Sequence, residues 1–252
     1  MTSAIRRLVF FILVIGIWEI IYRIYSQQTE LFPSPSGTLE QLYIGLFDTG
    51  ILRVALMESM QRILVGFIIA LLIGGFLGVL LGISKLADET LGSLVIALQS
   101  VPSIVWLPIA LILFQGSPLA ILFVVVLGAT WPMTMNMRMG MKNVQPILLR
   151  AAKTMGYSGG ELVWKVMIPA AIPNLLTGAR LAWAFGWRAL MAAELIGRGG
   201  LGRTLMDARD FFNMDLVVAI MVIIAAIGLI FEYFIFSKIE RRVLSRWGLN
   251  TN

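Results

Sequence analysis

Among its 252 residues the chain has no cysteine and no histidine, and charged side chains make up only 13% of it. Without cysteine there is no disulfide framework and no thiolate nucleophile or metal ligand. Without histidine the commonest general base and metal ligand is missing. The scarcity of charge excludes a third class, since soluble domains carry about 25% Asp, Glu, Lys and Arg. Here 20 basic and 14 acidic residues are too few to cover a water-facing surface. No Gly-x-x-x-x-Gly-Lys-Ser/Thr loop occurs, so the chain has no phosphate cradle of its own. What is abundant is apolar: 59% of residues are hydrophobic, and 24 glycines stand beside them. This is the composition of an all-α membrane protein that crosses the bilayer several times. The net charge of +6 is informative through its placement and is not read as a nucleic-acid signal.

A crossing helix needs roughly 20 mostly apolar residues. The chain reads as one membrane domain over 1–252 with six transmembrane helices, near 8–25, 63–84, 91–114, 119–138, 169–196 and 216–236. The uncharged run from Leu91 to Met137 is too long for one span, and Gly116-Ser117-Pro118 divides it. Arg6, Arg7, Lys85, Arg138, Lys142, Arg150, Lys153, Lys165, Lys238, Arg241, Arg242 and Arg246 fall on one side. Arg23, Arg53, Arg62, Arg198, Arg203 and Arg209 fall on the other. The excess of twelve over six puts both termini in the cytoplasm. Segment 38–58 follows Pro33-Ser34-Pro35-Ser36-Gly37, and its Leu39, Leu42, Tyr43 and Leu46 recur at helical spacing. It is expected as an amphipathic helix on the outer face. Gly74, Gly78 and Gly82 let a neighbouring helix approach closely, expected within the chain rather than at a dimer seam. Met133, Met135, Met137, Met139 and Met141 alternate, which scatters them around a helix as packing rather than as a thioether metal site.

The cytoplasmic stretch 140–168 is not loop-like. Pro146 can open a helix that places Ile147, Leu148, Ala151, Ala152 and Met155 on one face and stops at Gly156. Ser158 and Glu161 have capping-box spacing for a second short helix bearing Leu162, Val163 and Val166, which Pro169 ends. Helices this short do not cross a bilayer, so their apolar faces call for another surface, in part a docked cytoplasmic partner.

Ala151-Ala152, Gly156 and Val166-Met167-Ile168-Pro169 resemble the EAA loop of ATP-binding-cassette importer permeases, with Arg150 where that loop usually begins with glutamate. Leu31-Phe32-Pro33-Ser34-Pro35, 59–67, Val101-Pro102, 178–181, 192–197 and Gly200-Leu201-Gly202 are similar to the nitrate/sulfonate/taurine/bicarbonate branch. The resemblance implies a type I importer bundle that works as a homodimer. Its expected partners are a second copy of itself, a cytoplasmic ATPase dimer, an extracytoplasmic solute-binding protein and the lipid bilayer. It implies that 146–168 forms the coupling helices, with Arg150, Ala151, Ala152, Lys153, Gly156, Tyr157, Ser158, Glu161 and Pro169 as coupling residues. ATP hydrolysis belongs to the partner chain. The chain is then a transport subunit for a small solute, such as an oxyanion, and not an enzyme. No catalytic residue, metal or cofactor is expected.

Ionisable residues inside spans are functional candidates. Arg188 either lines the pathway and attracts an anion through its paired N–H donors, or pairs structurally with a carboxylate such as Glu58 or Glu194 of the partner subunit. Glu194 is placed to pair with Arg198 four residues on. Trp183 and Trp187 either wall the pathway or pack in the interior. Gln99, Ser100 and Ser103 around Pro102 either present polar groups to a cavity or satisfy carbonyls freed by the proline. An ATP-independent secondary transporter or channel is the competing reading, but it predicts an internal repeat that 63–137 and 169–236 do not show. An intramembrane enzyme would need a nucleophile with a base, a metal cluster or paired carboxylates, and Glu194 stands alone in its span.

Overall fold

The computed structural model describes residues 3–25 and 32–246, and among these the ordered elements are all helical. Leu31, at the head of one sequence motif, and both chain ends lie outside the described residues. The elements are α1 (Ser3–Tyr25), α2 (Pro35–Tyr43), α3 (Ile51–Ile83), α4 (Lys85–Ser100), α5 (Leu107–Leu113), α6 (Pro118–Lys142), α7 (Pro146–Thr154), α8 (Gly159–Leu162), α9 (Ile168–Ala170), α10 (Ile172–Ile196), α11 (Gly200–Asp210), α12 (Met214–Ile230) and α13 (Ser237–Arg246). Three wider π-type segments, Ile44–Asp48, Val163–Met167 and Phe231–Phe236, continue α2, α8 and α12 without a break.

Three helices are each long and apolar enough to cross a membrane: Ile51–Ile83, Pro118–Lys142 and Met214–Val243. Two bent pairs raise the number to five, Lys85–Ser100 with Ser103–Leu113 at 92° and Gly159–Ala170 with Ile172–Ile196 at 66°. Several expected boundaries move. The stretch 91–114 is not one gently bent span but two helices, because Val101 turns extended ahead of Pro102 and interrupts the ladder. The outer segment ends in the turn at Thr49 and Gly50, and its last residues, 51–58, already belong to α3. Pro169 does not end a helix. It lies inside the continuous helical stretch Gly159–Ala170, and the break falls two residues later, at Ala171.

The described chain falls into two compact units. In the first, made of 1–59 and 198–226, the Ser34 side chain caps α2 by accepting from Gly37 N–H at 2.8 Å, and Ser34 N–H donates to Asp215 at 2.6 Å. Glu58 and Ser59 of α3 accept the Gly200 and Leu201 N–H groups at 2.7 and 2.9 Å, which satisfies the first turn of α11.

In the second unit, made of 60–197 and 227–252, α6 and α10 pack extensively against each other. Here the glycine ladder has its counterpart. A Cβ on Gly74 would lie 2.8 Å from Met133 Cβ, and one on Gly78 would lie 2.5 Å from Met137 Cβ; Gly82 meets Met141 in the same way. Met133, Met137 and Met141 are four residues apart, so they form one row on α6 and are buried against the glycines of α3.

Candidate functional site

The hairpin 146–170 is built by local rules. Pro146 opens α7, and Gly156 at φ +92° closes it. Gly156 N–H donates to Lys153 O and Tyr157 N–H to Ala152 O, each at 3.0 Å, which is the paired bonding of a Schellman turn. The space around a Gly156 Cβ is empty, so glycine is required by the backbone angle and not by crowding. The expected capping box does not form. Ser158 stands at the N-cap position but its hydroxyl makes no capping bond, and Glu161 instead takes Lys165 at 2.8 Å. Lys165 Nζ also lies 5.3 Å from the centre of the Tyr157 ring.

The hairpin turns its apolar side outward. Ala152 is buried, whereas Ile147, Leu148, Met155 and Trp164 are 63%, 44%, 69% and 74% exposed. Arg150, Ala151, Lys153, Gly156, Ser158 and Glu161 are exposed with them, while Tyr157 and Pro169 are half-buried. The five residues expected on one face therefore divide. Ala152 anchors the hairpin, and Ile147, Leu148, Ala151 and Met155 face away from the fold.

On α10 the candidate residues also separate into two sets. Trp183 and Trp187 are buried with parallel rings 6.3 Å apart. Trp183 also stacks on Phe231 at 3.7 Å and meets Phe67 edge-on at 5.5 Å, so both belong to the aromatic interior of this unit. Glu194 is fully buried and accepts from Arg62 of α3 at 2.7 Å.

Arg188 is different. It is exposed between buried Trp187 and Ala189, and its guanidinium lies 5.1 Å from the centre of the exposed Phe185 ring. Leu181, Phe185, Arg188 and Ile196 share this uncovered stripe of α10. Gln99 and Ser100 at the end of α4 are exposed, and Ser100 Oγ donates back to Ile96 O at 2.9 Å. Ser103 is half-buried and closes with Ala189 upon Gly128, where a Cβ would lie 3.1 Å from Ser103 Oγ and 2.9 Å from Ala189 Cβ. Ser103 and the Arg188 segment are thus brought to one place, whereas Trp183, Trp187 and Glu194 are withdrawn from the surface.

Sequence reasoning missed two ionic clusters. Asp88, in the first turn of α4 ahead of the apolar stretch that begins at Leu91, bonds both Arg138 and Lys142 of α6. Those two bonds hold its carboxyl well below the usual carboxylate range, at about 2. Arg180 of α10 binds Glu232 through Nε at 2.8 Å and Glu240 of α13 through a terminal nitrogen at 3.1 Å. The available signal was the pairing of opposite charges confined to apolar stretches, Arg180 with Glu232 above all. Among the described residues no group of three acidic side chains is gathered as a metal site.

Comparison with known proteins gives a consistent picture. Residues 63–245 match the family described as binding-protein-dependent transport system inner membrane component. The chain is 30% identical over 242 residues to the nitrate import permease protein NrtB of Synechocystis, across 92% of this chain and 87% of that protein. It is 31% identical over 230 residues to the bicarbonate transport system permease protein CmpB of Synechococcus elongatus, across 86% and 82%. Aliphatic sulfonate and taurine transport permeases match as well. Among solved structures, the inward-facing MetNI methionine ABC transporter has a TM-score of 0.69 at 21% identity, over 76% of this chain and 95% of the matched chain. At that identity the likeness speaks for the fold alone.

Proposed function

This chain belongs to the binding-protein-dependent transport system inner membrane components, as a type I ABC importer permease of the nitrate, sulfonate, taurine and bicarbonate branch, and we propose that it carries a small oxyanion by alternating access driven through the 146–170 hairpin. It is a multi-pass inner-membrane transport subunit, and ATP hydrolysis lies in a separate subunit. On our reading α1 adds a sixth span, both termini are cytoplasmic, and two copies form the pathway. An extracytoplasmic binding protein delivers the solute, and a pair of ATPases closes on ATP and draws the hairpins together.

The observation that carries this reading is the outward apolar face of the hairpin. Ile147, Leu148 and Met155 are large side chains left exposed by a hairpin whose small Ala152 is the buried contact, whereas Trp164 lines a cavity with Leu72 and Phe76 of α3. That pattern fits a groove on a partner. The helical turns on either side of Gly156 make the hairpin stiff enough to transmit force, and Pro169 and Ala171 join it directly to α10. A pull on the hairpin therefore acts on the helix that bears Arg188.

Arg188 supports the anion assignment. It lies about two-thirds of the way along α10, and an exposed guanidinium facing hydrocarbon is costly. A face covered by the second copy, with water and solute between them, removes that cost. Phe185 holds one side of the guanidinium, leaving its edge N–H donors for planar or tetrahedral oxygens. Gln99 and Ser103 add neutral donors at the same pathway, while the Ser100 hydroxyl is spent on Ile96 O.

Because the chain has no native cysteine, Met155→Cys places a single thiol at the hairpin tip. The reading predicts that it crosslinks to the cognate ATPase in membranes and that scrambling 146–169 abolishes solute uptake. Arg188→Gln should cut uptake at least tenfold while the ATPase still copurifies. Unchanged uptake by either variant, or a hairpin thiol that never reaches the ATPase, refutes the corresponding role.

A further inference from the structure

The end of the last long helix carries a second chemistry that the transport reading does not use. The apolar run Leu216–Phe236 is 21 residues long and so rises about 30 Å, which fills the hydrocarbon core. The helix does not stop there. It continues through α13, so a bilayer crossed by 216–236 puts Ser237 onward at the depth of the lipid headgroups.

The charges of α13 are sorted by face. Glu240, its one acid, turns inward to Arg180 at 3.1 Å, and Ile239 and Glu240 line a cavity of about 280 Å³ against α10. Lys238, Arg241 and Arg242 are all exposed. Phe234, Lys238 and Arg241 follow one another at helical spacing, and Lys238 Nζ lies 5.9 Å from the centre of the Phe234 ring. Tyr233 and Phe234 are 64% and 62% exposed, one turn before the cations. Amphipathic rings below and long cationic stems above form the pattern of a side chain layer that straddles the membrane interface. With its half-exposed acid paired to Arg180, the opposite face of α13 presents the cations Lys238, Arg241 and Arg242.

We propose that this face, Tyr233 and Phe234 with Lys238, Arg241 and Arg242, is a binding site for anionic phospholipid headgroups. The phosphates take the three cations, the rings sit at the ester level, and the Arg180–Glu240 bond fixes the rotation of α13 that aims the cations outward. The site depends only on 216–236 crossing the bilayer. It does not depend on the coupling or pathway roles.

The test titrates the full-length chain, purified in a nonionic detergent, with dioleoyl phosphatidylglycerol and separately with dioleoyl phosphatidylcholine. Bound lipid is counted by native mass spectrometry at low and high salt. Each cation near an anionic headgroup contributes enough that the triple variant K238Q/R241Q/R242Q should bind phosphatidylglycerol on the order of 100-fold more weakly. K238R/R241K/R242K should retain binding, and high salt should weaken only the phosphatidylglycerol series. The wild-type contrast between the two lipids needs no variant, so it stands even where the triple variant misfolds. Equal affinity of wild type for both lipids overturns the proposal and leaves this face for an acidic protein surface. A folded triple variant that binds phosphatidylglycerol as well as wild type overturns it too.

Discussion

The contact between α3 and α6 can be tested at two glycines three residues apart. Gly78 is buried, and a Cβ there would lie 2.5 Å from Met137 Cβ and 2.7 Å from the Thr134 carbonyl oxygen. Ordinary carbon contacts are at about 3.5–4.0 Å, and the second neighbour is backbone, so the two helices must separate by about 1 Å. Overpacking of this kind costs about 1–3 kcal/mol. The same substitution gains about 1 kcal/mol of helix propensity, which leaves Gly78→Ala between neutral and destabilised by about 2 kcal/mol. At Gly75 the nearest atom is Met133 Cε at 3.7 Å, an ordinary contact at the end of a flexible side chain. Gly75→Ala therefore keeps the propensity gain. The two variants should differ by about 1–3 kcal/mol, or roughly 2–12 °C in apparent melting temperature at about 2–4 °C per kcal/mol. Thermal melting of the detergent-purified chain, followed by circular dichroism, reads this directly. If Gly78→Ala melts as high as Gly75→Ala, the glycine ladder does not hold α3 to α6.

Removing Arg62 takes the 2.7 Å donor from the fully buried Glu194, so Arg62→Ala should destabilise by at most about 3–5 kcal/mol, with Arg62→Lys recovering part of the loss in the same melting assay. Asp88 titrates at about 2, below the ordinary carboxylate value, so its bonds to Arg138 and Lys142 contribute at any pH above about 4 and are lost only as the pH falls toward 2. Melting of wild type should not depend on Asp88 between pH 5 and 8, whereas Asp88→Asn should lower it more at low salt than in 1 M KCl. Gly156→Ala forces a side chain into φ +92°, at about 1–2 kcal/mol. The hairpin should then be cut faster by trypsin at Lys153 and Lys165 with little change in global melting.

Features set by neighbours along the chain were legible in the sequence. The hairpin was, because Pro146 and Gly156 act within one turn of their own positions. The apolar stretches were, because solubility in hydrocarbon depends on composition over about 20 residues. The glycine ladder was visible as an approach site, and so was its intramolecular use. Its partner was not: every second one of the alternating methionines forms a row by helical spacing, but which helix that row meets depends on how α6 packs.

Of the candidate site residues, periodicity gathered Trp183, Trp187, Arg188 and Glu194 as one polar or aromatic span. It could not say that Arg188 faces out while Glu194 and the tryptophans face in. Four residues within about three turns point in different directions, and a neighbour decides which directions are interior. The Ser158–Glu161 box failed for a related reason: the spacing permits the bond, but Lys165 one turn on offers the carboxylate a charged partner instead.

By itself, then, the sequence determined the class of the protein, its all-helical make-up, the hairpin and the family. Each rests on local backbone preference or on transfer of apolar groups out of water. Only the tertiary structure decided the ionic pairs Asp88–Arg138, Arg62–Glu194 and Arg180–Glu232, the break at Val101 and Pro102, and the outward face of Arg188. These join residues 50 to 132 positions apart. Which charge meets which depends on the rotation and height of packed helices, and close packing of methionine on glycine fixes both.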